Sequence, residues 1–132
     1  MEPESFFHVA IKVDDLQASE EFYQDQLAAE VLERGHADDG ERATAVNYTA
    51  FSMADKRVYL FERAPYEAAG LVDEIPTGFL HFGFVVDDVD TAYEQLQSRG
   101  TEIIMEPTTF GDLKIVFFTD PTGVRIELLE HL

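Results

Sequence analysis

At 132 residues the chain can bury one well-cored domain and is too short for two independent ones. It has no cysteine, which excludes a disulfide framework, a thiolate metal site and a thiol nucleophile, and no run of about eighteen apolar residues that would cross a membrane. With 27 acidic against 9 basic residues the net charge is −18, which argues against nucleic acid and anionic membranes as partners, while 45% hydrophobic and 12% aromatic content argues for a folded core over disorder.

The first element expected is a strand over 6–13. Phe7, Val9, Ile11 and Val13 alternate with Phe6, His8, Ala10 and Lys12, giving one greasy face and one mixed face. Asp14 or Asp15 then caps a helix whose Leu16, Tyr23 and Leu27 share a stripe, with Phe22 beside it. "EVLER" (30–34) reads as a short strand and "GHADDGER" (35–42) as a polar loop, which leaves His36 solvated. Strands follow at about 43–52 and 57–63, joined by a turn near "MADK". Residues 64–78 contain Pro65, Gly70, Pro76 and Gly78 and read as a linker.

The series then restarts. Over 79–86, Leu80, Phe82, Phe84 and Val86 alternate with His81, Gly83 and Val85. Asp87 or Asp88 caps a second helix with Val89, Ala92, Tyr93 and Leu96 on one stripe, and Gly100 closes it. Strands near 101–105, 113–119 and 124–130 complete the series, with "DPTG" (120–123) as the last hairpin turn and His131 solvated at the end. The fold class expected is α+β. Two tandem βαβββ units (about 5–63 and 79–132, with the linker at about 64–78) form curved mixed sheets around a concave cavity, each covered by a helix, in a single domain over 1–132.

The two units repeat one pattern, "HVAIKVDDL" from His8 and "HFGFVVDDV" from His81, 73 positions apart. Each histidine lies on a mixed strand face with a small residue two positions on (Ala10, Gly83), which leaves the space a ligand cavity needs. In "VRIELLE", Val124, Ile126 and Leu128 define a buried face, and Arg125, Glu127 and Leu129 the other. If both concave faces line one cavity, two imidazoles and a carboxylate converge there, a set that can hold a divalent cation and leave positions for water and substrate. The bland reading, strand histidines satisfied by ordinary hydrogen bonds, stands beside it. Aligned at a shift of 67, "FSMADKRVYLFE" (from Phe51) and "FTDPTGVRIELLE" (from Phe118) set Leu60 opposite Glu127.

"HVAIKVDDLQASEEFYQDQLAAEVLE", "HFGFVVDDVDTAYEQLQSRGTEI" and "FFTDPTGVRIELLE" resemble the vicinal oxygen chelate superfamily, which includes glyoxalase I, fosfomycin-resistance proteins, extradiol dioxygenases, methylmalonyl-CoA epimerase and bleomycin-resistance proteins. The resemblance covers nearly the whole chain, with Ala28 where a glycine commonly follows Leu27. It implies metal ligation by His8, His81 and Glu127, with the fourth ligand position at Leu60, where glyoxalase I-like members carry glutamate. Loss of that carboxylate removes the group glyoxalase I is thought to use in proton transfer. Glu62 substitutes for it only if the strand slips by two residues. The remaining His-His-Glu set resembles that of the dioxygenases and transferases.

The function expected is therefore a divalent-metal-dependent enzyme (Mn, Fe, Ni, Zn or Co) acting on a small oxygenated substrate as a lyase or isomerase, a dioxygenase or a transferase. Glu127 and Glu62 are the catalytic candidates, with Lys12, Arg125, Tyr48 and Leu60 at the substrate and Tyr59 and Tyr93 as further aromatic candidates. The alternative is a metal-free small-molecule-binding protein of the bleomycin-resistance kind; a fold kept only for protein–protein contacts is a third. A homodimer is expected, exchanging units so that one chain supplies His8 and its partner His81 and Glu127. "MEPESFF" lacks the basic start of a secretory signal, which points to the cytoplasm, and with only three lysines (Lys12, Lys56, Lys114) the acidic balance suits a salt-rich one.

Overall fold

The computed structural model describes residues 1–38, 45–119, 121 and 123–132. The chain runs β1 (Ser5–Lys12), α1 (Leu16–Leu27), β2 (Glu30–Asp38), β3 (Ala45–Met53), β4 (Lys56–Phe61), α2 (Pro65–Ala68), β5 (Gly78–Val85), α3 (Val89–Ser98), β6 (Ile103–Phe110), β7 (Leu113–Thr119) and β8 (Arg125–His131). This is an α+β fold in which two βαβββ series join into one eight-stranded sheet of order β2-β3-β4-β1-β5-β8-β7-β6. The seam is the antiparallel β1–β5 pair, and on either side of it β1 pairs parallel with β4 and β5 parallel with β8.

Both first helices start at the second aspartate of a pair. Asp15 Oδ1 accepts from Ala18 N–H at 3.0 Å, and Asp88 Oδ1 from Thr91 N–H at 3.1 Å. Their seating differs. α3 buries Val89, Ala92 and Leu96 against Val116, Phe118 and Leu128. α1 has no fully buried residue; Leu16 and Tyr23 lean on Ala29, Phe51 and Leu60, whereas Leu27, expected on the stripe, is exposed.

Four expectations are corrected. β2 continues through Gly35 to Asp38, so the expected loop begins later, and the part of it over 39–44 lies outside the described residues. The His36 backbone pairs with Asn47, so it is not a loop residue. β6 extends to Phe110, carrying Pro107 through a stretch of shifted register where no ladder donor is required. In β1 a bulge between Phe6 and His8 breaks the simple alternation: Phe7 turns to the concave face, and Phe6 stacks outside on Phe82 and Phe84. The "DPTG" turn rests on Asp120 and Thr122, which lie outside the described residues.

The linker is partly ordered. Pro65 starts the single turn of α2, and Glu67 Oε1 accepts from Ala64 N–H at 2.9 Å. The other carboxylate oxygen of Glu67 takes Lys12 Nζ at 2.7 Å and Ile75 N–H at 2.8 Å. Burial pushes the Glu67 carboxyl up, but these hydrogen bonds outweigh it and hold the group below its ordinary value.

Candidate metal centre

The concave face brings His8, His81 and Glu127 together within one chain. The three donor atoms lie within 4.8 Å of one another and all three residues are buried. His8 Nε2 stands 3.2 Å from His81 Nε2 and 3.6 Å from Glu127 Oε1. Donors about 2.1 Å from one cation at angles between 90° and about 120° sit roughly 3.0–3.6 Å apart, so these two distances suit a shared ion.

Gly83 makes the approach possible. A Cβ there would lie 2.9 Å from Glu127 Oε1 and 2.9 Å from His8 Cε1, too close for either to stay in place. Its counterpart Ala10 is fully buried. The pairing of the strands fixes this correspondence: Ala10 faces Tyr59 across β1–β4, and Gly83 faces Glu127 across β5–β8.

Electrostatics also fit a cation. Burial pushes the Glu127 carboxyl up to about 8. Burial, with Arg57 adding to it, lowers His8 to about 3. Burial lowers His81 well below its ordinary value, helped by His8 and then Arg125. A carboxyl raised in this way is neutral near pH 7, and a divalent ion bound beside it would offset the cost of ionising it.

The two imidazoles are held differently. The Tyr66 hydroxyl, brought in by α2, donates to Leu80 O at 3.3 Å and faces His81 Nδ1 at 3.0 Å. With its proton so directed, the phenol oxygen accepts from Nδ1–H, which leaves the Nε2 lone pair facing the centre. His8 Nδ1, by contrast, is buried without a hydrogen-bond partner among the described residues. Neither α2 nor Tyr66 was legible as part of the site. The one available signal was an aromatic residue directly after Pro65 in a segment otherwise read as a spacer.

Several expected site residues lie elsewhere. Leu60 is fully buried on the opposite face of β4, under α1 with Phe51, so the position matching Glu127 is Tyr59. The cause is the hairpin length. Phe51 pairs with Val58 in the first unit and Phe118 with Ile126 in the second, one residue farther along, and a one-residue shift reverses the face. Glu62 is exposed beyond the end of β4 and accepts from Asn47 Nδ2 at 3.2 Å, away from the centre. Lys12 is on the His8 face but is committed to Glu67 and to Ile75 O at 2.6 Å. Arg125 turns back on its own strand neighbour, donating through Nε to Leu80 O at 2.7 Å and through Nη2 to Phe79 O at 3.3 Å. Tyr93 lies on α3 and packs against the core beneath that helix.

Tyr48 does line the cavity. It stacks on Tyr59 with centroids 5.7 Å apart and planes 8° apart, and its hydroxyl donates to Glu33 Oε1 at 3.0 Å. The ring lies over Gly35, where any Cβ would fall 2.3 Å from it. The cavity has a volume of 410 Å³ and reaches from His8 and Glu127 out past Tyr59 and Tyr48 to Glu33 and Asp112.

The family description "Glyoxalase/Bleomycin resistance protein/Dioxygenase superfamily" matches residues 5–128, and the chain belongs to that family. It is 28% identical over 138 residues to the lactoylglutathione lyase of Haemophilus influenzae, covering 94% of this chain and 90% of that one. It is also 28% identical to a probable chloroplastic lactoylglutathione lyase of Arabidopsis thaliana; that match covers 94% of this chain and spans only 35% of the relative's length. Among solved structures, methylmalonyl-CoA epimerase from Mycobacterium tuberculosis superposes with a TM-score of 0.79 at 24% identity, over 98% of this chain and 89% of that one, a likeness of fold.

Proposed function

We propose that this chain is a divalent-metal-dependent enzyme acting on a small oxygenated molecule. The observation that carries the reading is the buried His8, His81 and Glu127 set, of which His8 and Glu127 line an open cavity and His81 lies behind them with Nε2–Nε2 at 3.2 Å. Family members named as lactoylglutathione lyases support an enzymatic role. Three nitrogen and oxygen donors suit Mn, Fe, Ni, Zn or Co and leave positions for a substrate that offers two adjacent oxygens. A divalent ion bound there supplies Lewis acidity toward those oxygens.

The protein groups divide the remaining work. Glu127 and His8 form the floor, with His81 behind them. Tyr59 and Tyr48 wall one side, and Phe110 and Leu113 the other. With Tyr59 where a second carboxylate would stand, proton transfer from two opposed carboxylates at the centre is not available, so the reading favours Lewis-acid chemistry using Glu127 alone. A metal-free binding protein would have no need to bury this donor set. The test is elemental analysis of protein purified without chelator, followed by assay of the loaded protein against methylglyoxal–thiol adducts, catechols and fosfomycin. One equivalent of metal, lost in His81→Ala, is expected; a metal-free wild type would sink the reading.

No helix among the described residues is long and apolar enough to cross a membrane. We place the protein in the cytoplasm on its cysteine-free, acidic composition. We also propose a homodimer, assembled back to back rather than by exchanged units. The helices pack over the outer strands and leave the convex side of β1 and β5 uncovered, with Phe6 and Phe79 exposed beside Phe82 and Phe84. Light scattering in molar salt should give a dimer that Phe79→Glu dissociates; a wild-type monomer there would reject it.

A further inference from the structure

The cavity above the metal centre carries charge of one sign. Its charged lining side chains are Glu33, Asp112 and Glu127, and among the described residues no lysine or arginine lines it. Glu33 is fixed at the mouth by the Tyr48 hydroxyl at 3.0 Å. The two basic residues best placed by sequence to greet an anion are both occupied. Lys12 is held by Glu67 and Ile75 O, and Arg125 by the Leu80 and Phe79 carbonyls. Arg57 lies over the Phe7 ring at 5.2 Å and lines a separate groove with Ser52 and Asp55, from where its charge still lowers His8. A net charge of −18 adds a repulsive field for any approaching anion.

The wall of the cavity is aromatic. Tyr48 and Tyr59 stack parallel within 8°, and Phe61 lies 5.6 Å from Tyr48 at a tilt of 37°. Aromatic faces carry negative potential and, together with carboxylates, attract planar apolar groups and cations. From these features we infer that the site takes a planar ligand, uncharged or cationic at the end away from the metal, and rejects anionic conjugates. The inference rests on the metal-centre reading for the end that anchors at His8, His81 and Glu127; the charge selection comes from Glu33 and Asp112.

Three catechols of like size separate the possibilities: dopamine (cationic), 4-methylcatechol (neutral) and 3,4-dihydroxybenzoate (anionic). Their binding is measured by calorimetry on manganese-loaded and on chelator-stripped full-length protein, in about 0.15 M salt, which damps the field of distant charges and keeps that of the nearby carboxylates. The expected order on loaded protein is dopamine, then 4-methylcatechol, then the benzoate, which should bind about tenfold or more weakly than the neutral compound. In the double variant Glu33→Gln with Asp112→Asn the gap between benzoate and neutral ligand should shrink to about threefold or less. Benzoate binding as tightly as 4-methylcatechol, an unchanged gap in the double variant, or no binding of any probe in either form would each overturn the inference. Metal content is measured separately by equilibrium dialysis. A protein that holds no manganese but still ranks the probes by charge would defeat the metal reading and leave the charge selection standing.

Discussion

The two βαβββ units share a blueprint and have taken on different duties. The second supplies His81, Glu127 and the bare Gly83 between them; its helix is sunk into the core through Val89, Ala92 and Leu96. The first supplies His8 and, where the second has Glu127, Tyr59; its helix rides on the sheet without a fully buried residue. The second unit supplies two of the three clustered donors; the first supplies the third donor and the Tyr48–Tyr59 wall.

The largest effect should come from placing a carboxylate on either side of the first unit's β4. Leu60→Glu puts an unpaired charge into the fully buried cluster with Phe51 and Ala29, and should cost about 4 kcal/mol or more by chemical denaturation. Tyr59→Glu, one residue earlier, should fold and should bind manganese tighter by about tenfold or more in dialysis, since it restores the equivalent of Glu127. The reverse outcome would mean that Leu60, not Tyr59, faces the centre.

Gly83→Ala tests the space in the second unit. The added methyl must displace Glu127 Oε1 and His8 Cε1, so about 1–3 kcal/mol of stability and most of the metal affinity should be lost together. Full metal binding in Gly83→Ala would show that the three donors do not close on one ion. Tyr66→Phe removes only the hydroxyl at His81 Nδ1, and manganese affinity should fall about 10–100-fold while the fold persists. The electron paramagnetic resonance spectrum of bound manganese should broaden in that variant, and an unchanged spectrum with unchanged affinity would remove Tyr66 from the site.

The smallest effect compares the two helix ends. Ala28 sits at φ 54° after α1, whereas Gly100 sits at φ +73° after α3. Left-handed backbone penalises a Cβ, so Ala28→Gly should stabilise the protein by about 0.5–1 kcal/mol in a thermal melt. A loss of stability would mean that the Ala28 methyl packs usefully.

Much of the fold was legible because the pattern occurs twice. Alternation at 6–13 and 79–86 placed both histidines on one face, and paired aspartates marked both helix starts. What failed was parity after the hairpins. A single extra residue in the second turn moves every side chain beyond it to the other face, so the Leu60–Glu127 match gave way to Tyr59–Glu127. Lys12 and Arg125 had the right charge, but nothing local in the sequence reveals that Glu67 and two strand carbonyls claim them first. Long-range polar contacts of this kind leave no periodicity to read.

The segment joining the units has a consequence for how the chain can be divided. Two identical half-molecules meeting at a β1–β5 seam would have interchangeable histidines. A covalent join exists only once, and α2 lies within it, so Tyr66 reaches His81 and, among the described residues, no counterpart reaches His8 Nδ1. The tether itself breaks the twofold equivalence. Fragments split after Gly70 should therefore reassemble a metal centre when mixed, whereas fragments split before Pro65 with the tether deleted should pair their strands and leave His81 free to turn.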